Sequence, residues 1–131
     1  MRFKIIPEAC APHKDEKSGE EKPSSFEGHI ILDMPSYPVL CQKQKEATMA
    51  MAKAKENMGK EENQFDSIAR SLEATQEIFK ILEPMILEVE LKHLKSGTEI
   101  KSKDDFICFP YCKPIIEELC LKLMFGFVEK N

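Results

Sequence analysis

The sequence predicts an α+β fold, in which a small antiparallel sheet that includes a hairpin packs against three helices. Alternating apolar and polar residues at 26–34 and at 87–101 predict strands. Apolar residues at helical spacing between 63 and 83 predict an amphipathic helix. A chain of 131 residues has the size of one domain. We therefore expect an N-terminal strand and polar flexible segment over 1–25, followed by a single α+β domain over 26–131.

The N-terminal quarter holds one strand and a long polar segment. Residues 2–6 alternate in character and predict a short strand that ends before Pro7. Residues 8–25 include Gly19 and carry five acidic and three basic side chains. This composition predicts a solvated loop or a mobile segment. The next strand, 26–34, places its larger apolar side chains on one face.

Two consecutive helices follow. Residues 39–58 are rich in Ala, Lys, Glu, Gln and Met, which are good helix formers, but their apolar stripe is thin. The second helix, 63–83, begins at the capping residue Asn63 and ends at Pro84. Its broad apolar stripe consists of Phe65, Ile68, Ala69, Leu72, Phe79 and Leu82.

The last third of the chain predicts a hairpin and a helix. Leu87, Val89 and Leu91 alternate with charged residues, and a turn at 95–97 leads into a second short strand. Ser102 and Asp105 have the spacing of a capping box and predict a short helical turn. The helix 115–127 is apolar nearly all round, so it either lies at the centre of the core or is half-covered by a partner, which leaves a homo-oligomer open.

Charge and hydropathy exclude several classes of function. With 19 basic and 23 acidic residues, the net charge of −4 gives no general attraction to nucleic acid. No stretch of about 20 apolar residues predicts a membrane span. The N-terminus lacks the pattern of a secretory signal, and the cysteine count of five is odd, so we expect reduced thiols in a cytoplasm.

The cysteines and histidines offer two weak alternatives to a purely structural role. Cys108, Cys112 and Cys120 could contribute to a metal site, but zinc usually takes four ligands in tight pairs. A catalytic thiol would need an adjacent base, and the spacing brings none of the three histidines next to a cysteine. We expect no enzyme, no catalytic residue, no cofactor and no metal, with a small metal- or thiol-dependent enzyme as the alternative from another class. The cysteines are expected to pack as small hydrophobic residues.

The methionine-bearing helix is the candidate partner-binding surface. Methionine is flexible and suits surfaces that adapt to a partner, although ordinary core filling is the alternative interpretation. Glutamate at Ala47 or Ala54 is then expected to block binding without unfolding the protein. We expect the exposed edge of the last helix to contribute, together with Leu40, Ala47, Met49, Met51, Ala54 and Met58.

Three segments resemble a known family. They are 26–37 (Phe-Glu-Gly-His-Ile-Ile-Leu-Asp-Met-Pro-Ser-Tyr), 87–102 (Leu-Glu-Val-Glu-Leu-Lys-His-Leu-Lys-Ser-Gly-Thr-Glu-Ile-Lys-Ser) followed by Asp104-Asp105-Phe106, and the close 115–119 with Gly126-Phe127. Together they look like the small tail assembly chaperones of long-tailed bacteriophages. The resemblance extends over residues 26–131.

The resemblance implies a non-enzymatic role in the host cell cytoplasm. Such proteins bind the tape-measure protein, and an extended frameshift product recruits tail-tube subunits during tail assembly. They leave before the particle is complete, so the mature virion lacks them. The alternative is a structural virion protein, such as a minor tail or head–tail component, which would use the same surfaces permanently.

Overall fold

The part of the chain that the structure describes forms a four-stranded antiparallel sheet and four α-helices, which confirms the predicted α+β class. The structure, a computed structural model, describes residues 1–11, 13–14, 19, 21–22, 24–57 and 64–127. Two compact units are present: the first comprises Met1–Met34 and Met85–Ile116, and the second comprises Pro35–Pro84 with the chain from Glu117 onward. The strands are β1 (Arg2–Ile5), β2 (His13–Lys14), β3 (Glu21–Lys22), β4 (Phe26–Asp33), β5 (Ile86–His93) and β6 (Glu99–Ile100). The helices are α1 (Tyr37–Asn57), α2 (Gln64–Leu82), α3 (Lys103–Cys108) and α4 (Lys113–Phe125).

The first unit is built on a four-stranded sheet in the order β1-β4-β5-β6, with every neighbouring pair antiparallel. Strand β1 joins β4 with Phe3 opposite Leu32, so residues 2–5 belong to this sheet. One face of the sheet is buried, since over most of each strand apolar side chains alternate with polar ones that lie on the opposite face. The buried members of this face are Ile5, Phe26, Ile30, Leu32, Ile86, Val89, Leu91 and Ile100.

A β-bulge changes the predicted inward face of β5. Ile31 pairs with Glu88, but the next residue, Leu32, pairs with Ile86, so Leu87 is the extra residue. Leu87 is consequently exposed, while Ile86 is buried in its place. The prediction that Leu87 shares a face with Val89 and Leu91 is therefore wrong, although the strand and its hairpin with β6 are confirmed.

The polar N-terminal segment contains more regular structure than expected. A 3₁₀ turn covers Glu8–Cys10, and β2 pairs with β3 in an antiparallel ladder. Gly19, between these strands in the sequence, has φ +71°, a left-handed conformation that glycine adopts without steric cost. The expectation of an irregular segment over 8–25 is corrected at these residues.

The predicted cap at the start of α3 is confirmed. The Ser102 hydroxyl oxygen accepts a hydrogen bond from the Asp105 backbone N–H at 3.0 Å. This bond satisfies one of the amide groups that the first helical turn leaves without a partner. Phe106 is then placed in the core, fully buried.

In the second unit, α1 and α2 pack along each other. The ammonium group of Lys43 on α1 donates to the carbonyl oxygen of Ile81 near the end of α2, at 3.3 Å. The predicted cap residue Asn63 lies outside the described residues. Helix α2 buries Ala74, Ile78 and Leu82, whereas the first residues of its predicted stripe remain exposed. From α4, the second unit buries Leu119, Cys120 and Leu123.

Candidate functional site

An open groove of about 190 Å³ lies within the second unit. Helices α1, α2 and α4 all contribute to it, and most of the lining side chains are apolar or small. Two methionines, which adapt their shape to a neighbour, are among them. The groove is lined by Met51, Ser71, Leu72, Thr75, Ile78, Glu117, Cys120, Leu121 and Met124.

The groove has a thiol that is held neutral. Cys120 Sγ donates to the Thr75 carbonyl oxygen at 3.8 Å. Burial, with a smaller contribution from the nearby carboxylate of Glu117, raises the pKa of the Cys120 thiol from 9.0 to about 12. The thiol is therefore protonated at neutral pH and behaves as a small apolar group rather than as a nucleophile.

Exposed apolar side chains accompany the groove on two of its helices. On α2 they follow the spacing i, i+3, i+7, and on α4 the spacing i, i+4, so each set lies on one face of its helix. The residues Phe65 and Phe125 are 81% and 82% exposed. Large exposed apolar surfaces mark sites of interaction with other molecules. We call these five residues the apolar rim: Phe65, Ile68, Leu72, Leu121 and Phe125.

The five described residues among the six predicted from α1 lie in different environments. Met51 lines the groove. Met49 is 61% exposed, and Leu40 and Ala54 are half-buried. Ala47 is fully buried, so the expectation that its own side chain belongs to an exposed binding surface is corrected. Met58 lies outside the described residues.

Three residues of the apolar rim have the helical spacing of core residues but are exposed. Phe65, Ile68 and Leu72 were expected in the core-facing stripe of α2, because helical spacing identifies a face but not what covers it. One signal was present: Ser71 and Thr75 interrupt the same arc of the helix with small polar groups. The predicted exposed edge of the last helix corresponds to Leu121 and Phe125.

Cys112 and the buried histidine occupy packed positions in the first unit, whereas Cys108 is exposed and Cys41 belongs to the second unit. Burial raises the pKa of Cys112 to about 11, with a smaller contribution from Cys10. The ring of His93 is buried and stacks on Tyr111, with ring centroids 5.0 Å apart. Its Nδ1 lies 2.7 Å from the Ser96 hydroxyl oxygen. Within the described ranges, no three His, Cys, Asp or Glu side chains are grouped as metal ligands.

No protein-family model matches the sequence, and neither curated proteins nor solved structures yield a match. None of the helices in the described part of the chain is long and apolar enough to cross a bilayer.

Proposed function

We propose that this chain is a non-enzymatic assembly chaperone of a long-tailed bacteriophage. It binds the tape-measure protein, the tail-tube subunits or both while the tail is built in the host cytoplasm. The observation that carries the proposal is the apolar rim beside an open groove on the second unit. The choice of partner comes from the resemblance to this chaperone family, which is carried by segments 26–37, 87–102 with 104–106, and 115–119 with 126–127.

The exposed apolar side chains of the apolar rim suit the task of covering a tape-measure helix during assembly. A long tape-measure helix exposes apolar side chains until tube subunits enclose it, and such surface aggregates in water. A partner with its own exposed apolar side chains can cover that surface reversibly. Binding at several places along one long helix would add through avidity, so each single contact can remain weak enough to release.

Co-expression with the tape-measure protein of the same genome tests the proposal. We expect the tape-measure protein to remain soluble and to co-purify with the wild-type chain. The variant Leu121→Glu places a charge in the apolar rim and should abolish co-purification. Leu87→Glu is the matched control, because Leu87 is equally exposed but lies on β5 in the first unit.

Mass spectrometry of purified particles separates a chaperone from a structural component. A chaperone is absent from the finished virion, whereas a minor tail or head–tail protein is present in fixed copy number. Co-purification that persists in Leu121→Glu would show that the apolar rim is not the binding surface. Detection of the chain in purified particles at a fixed copy number would show that it is a structural virion protein and not a chaperone.

A further inference from the structure

We infer that the outer edge of strand β1 binds an extended segment of another protein, which adds a strand to the sheet and places a carboxylate opposite Lys4. This inference goes beyond the proposed function, because it concerns the first unit and neither the groove nor the apolar rim. Two features of β1 support it: the direction of its backbone groups and the charge of its exposed side chains.

The backbone groups of β1 point alternately toward β4 and away from it. The Met34 N–H donates to the Met1 carbonyl oxygen at 2.7 Å, and the Met1 amino group donates to the Met34 carbonyl oxygen at 3.3 Å. Such hydrogen-bonded pairs recur at every second residue of an antiparallel ladder, so Phe3 also bonds toward β4. Arg2 and Lys4 therefore direct their N–H and carbonyl groups away from β4.

The outward backbone groups of β1 specify an extended occupant. This strand ends the sheet order, so no described strand lies beyond it, and the side chains of Arg2 and Lys4 are exposed. The two residues are about 7 Å apart, which is the hydrogen-bonding repeat of an antiparallel strand. An extended segment presents its own N–H and carbonyl groups at this repeat and can bond to both residues. A helix cannot, because its backbone groups are bonded internally.

The charge of β1 favours an acidic segment over a second copy of the chain. Arg2 bonds to Glu88 at 2.6 Å, whereas Lys4 forms no ion pair with a described residue. A carboxylate directly opposite Lys4 would stabilise the added strand. Antiparallel pairing of two β1 strands would instead set Arg2 against Lys4, and like charges in that position are destabilising. Pro7 has no N–H, so it also limits a longer ladder between two copies.

Two capped peptides of about nine residues test the charge requirement against the full-length chain. One alternates valine with glutamate and the other alternates valine with lysine. We expect the glutamate peptide to shift the amide resonances of residues 2–5, and to bind about two- to fivefold more tightly than the lysine peptide at low salt. In Lys4→Glu the preference should reverse. Lys101→Glu is the matched control at the opposite edge of the sheet, and the preference should persist there.

Backbone methylation of the glutamate peptide tests the hydrogen bonding. In the inferred pairing, the glutamate amides face β1 and the valine amides face away from it. Methylation of the glutamate amide nitrogens should therefore weaken binding by about tenfold or more. Methylation of the valine amide nitrogens is the matched control and should leave the affinity within about twofold. Equal losses from the two patterns would contradict strand addition.

The remaining outcomes separate this inference from the proposed function. The inference is wrong if neither peptide binds, if the shifted resonances lie away from residues 2–5, or if Lys4→Glu leaves the preference unchanged. It is also wrong if sedimentation shows that the wild-type chain pairs with itself through β1. Leu121→Glu should bind the glutamate peptide as the wild type does, since Leu121 belongs to the second unit. Loss of tape-measure binding in that variant therefore reports on the proposed function alone. Circular dichroism confirms that each variant is folded.

Discussion

The thiol of Cys120 donates a hydrogen bond to the carbonyl oxygen of Thr75, with Sγ and O 3.8 Å apart, in an open apolar groove. A cysteine in a groove could be a nucleophile, but burial raises the pKa of this thiol to about 12 and keeps it protonated. The groove therefore presents an apolar surface, and its chemistry favours binding over catalysis.

Alkylation rates test this assignment of the thiols. At about pH 8, a thiol of pKa about 12 is ionised in roughly one molecule in ten thousand, so Cys120 should react very slowly with iodoacetamide. Cys112 should also react slowly, because burial raises its pKa to about 11. Cys108 is exposed and should be the first of the three to be labelled. Peptide mapping over time measures the rates, and unfolding in urea should equalise them. Labelling of native Cys120 as fast as Cys108 would contradict the assignment.

Stability should decline in alkaline solution in a way that depends on Cys120. The folded state raises the pKa of this thiol from 9.0 to about 12, so above about pH 9 the unfolded chain binds fewer protons than the folded chain. The free energy of unfolding therefore falls as the pH rises from about 9 to about 12, while below pH 9 this group contributes no dependence. Cys120→Ala should lose less stability than the wild type between about pH 8 and pH 10 in urea titrations. Identical losses of stability in the two proteins would show that folding does not raise the pKa of the Cys120 thiol.

Gly28 on β4 lies so close to β5 that a side chain would not fit. A Cβ atom at this position would overlap the carbonyl oxygen of Glu90, and φ is +128°. Gly28→Ala should therefore lower the free energy of unfolding by about 3 kcal/mol or more. Gly97→Ala is the matched control, because its φ is +75° but the space around it is open, so only about 1 kcal/mol of backbone strain is expected. Urea denaturation compares the two, and equal losses would mean that the close approach is unimportant.

Because of the position of Ala47 in the core, Ala47→Glu tests the stability of the protein and not partner binding. Because Ala47 is fully buried, Ala47→Glu would place an unpaired charge in the interior and should destabilise the protein by about 3 kcal/mol or more. Met49→Glu is the control on the same helix, since Met49 is 61% exposed, and its effect should be within about 0.5 kcal/mol. Thermal unfolding measures both. A stable Ala47→Glu protein would show that α1 does not bury this residue.

The sequence predicts a helix or strand well where a single hydrophobic periodicity or a local hydrogen bond determines it. The alternation in β4, the long helix α2 and the cap at Ser102 required only local pattern and local hydrogen bonding. The inward residue of β5 was missed because Ile86 and Leu87 are adjacent and equally apolar, so the bulge decides between them. Such a choice depends on the neighbouring strand, which local sequence does not describe.

The candidate site could be predicted only in part, for a similar reason. Met51 and the exposed edge of the last helix follow from composition and from an apolar surface too broad for one core. Phe65, Ile68 and Leu72 have the spacing of core residues, and only the packing of the folded chain shows that they are exposed. Ala47 carries no signal of its own, since a small residue suits a buried or an exposed face equally.

Titration calorimetry of the full chain with the tape-measure protein tests the central claim most directly. We predict binding with a negative heat-capacity change, the mark of apolar burial, and a loss of about tenfold or more in affinity in Leu121→Glu. Leu87→Glu should bind as the wild type does. If Leu121→Glu binds as tightly as the wild type, with the same heat-capacity change, the groove and the apolar rim are not where this protein meets its partner.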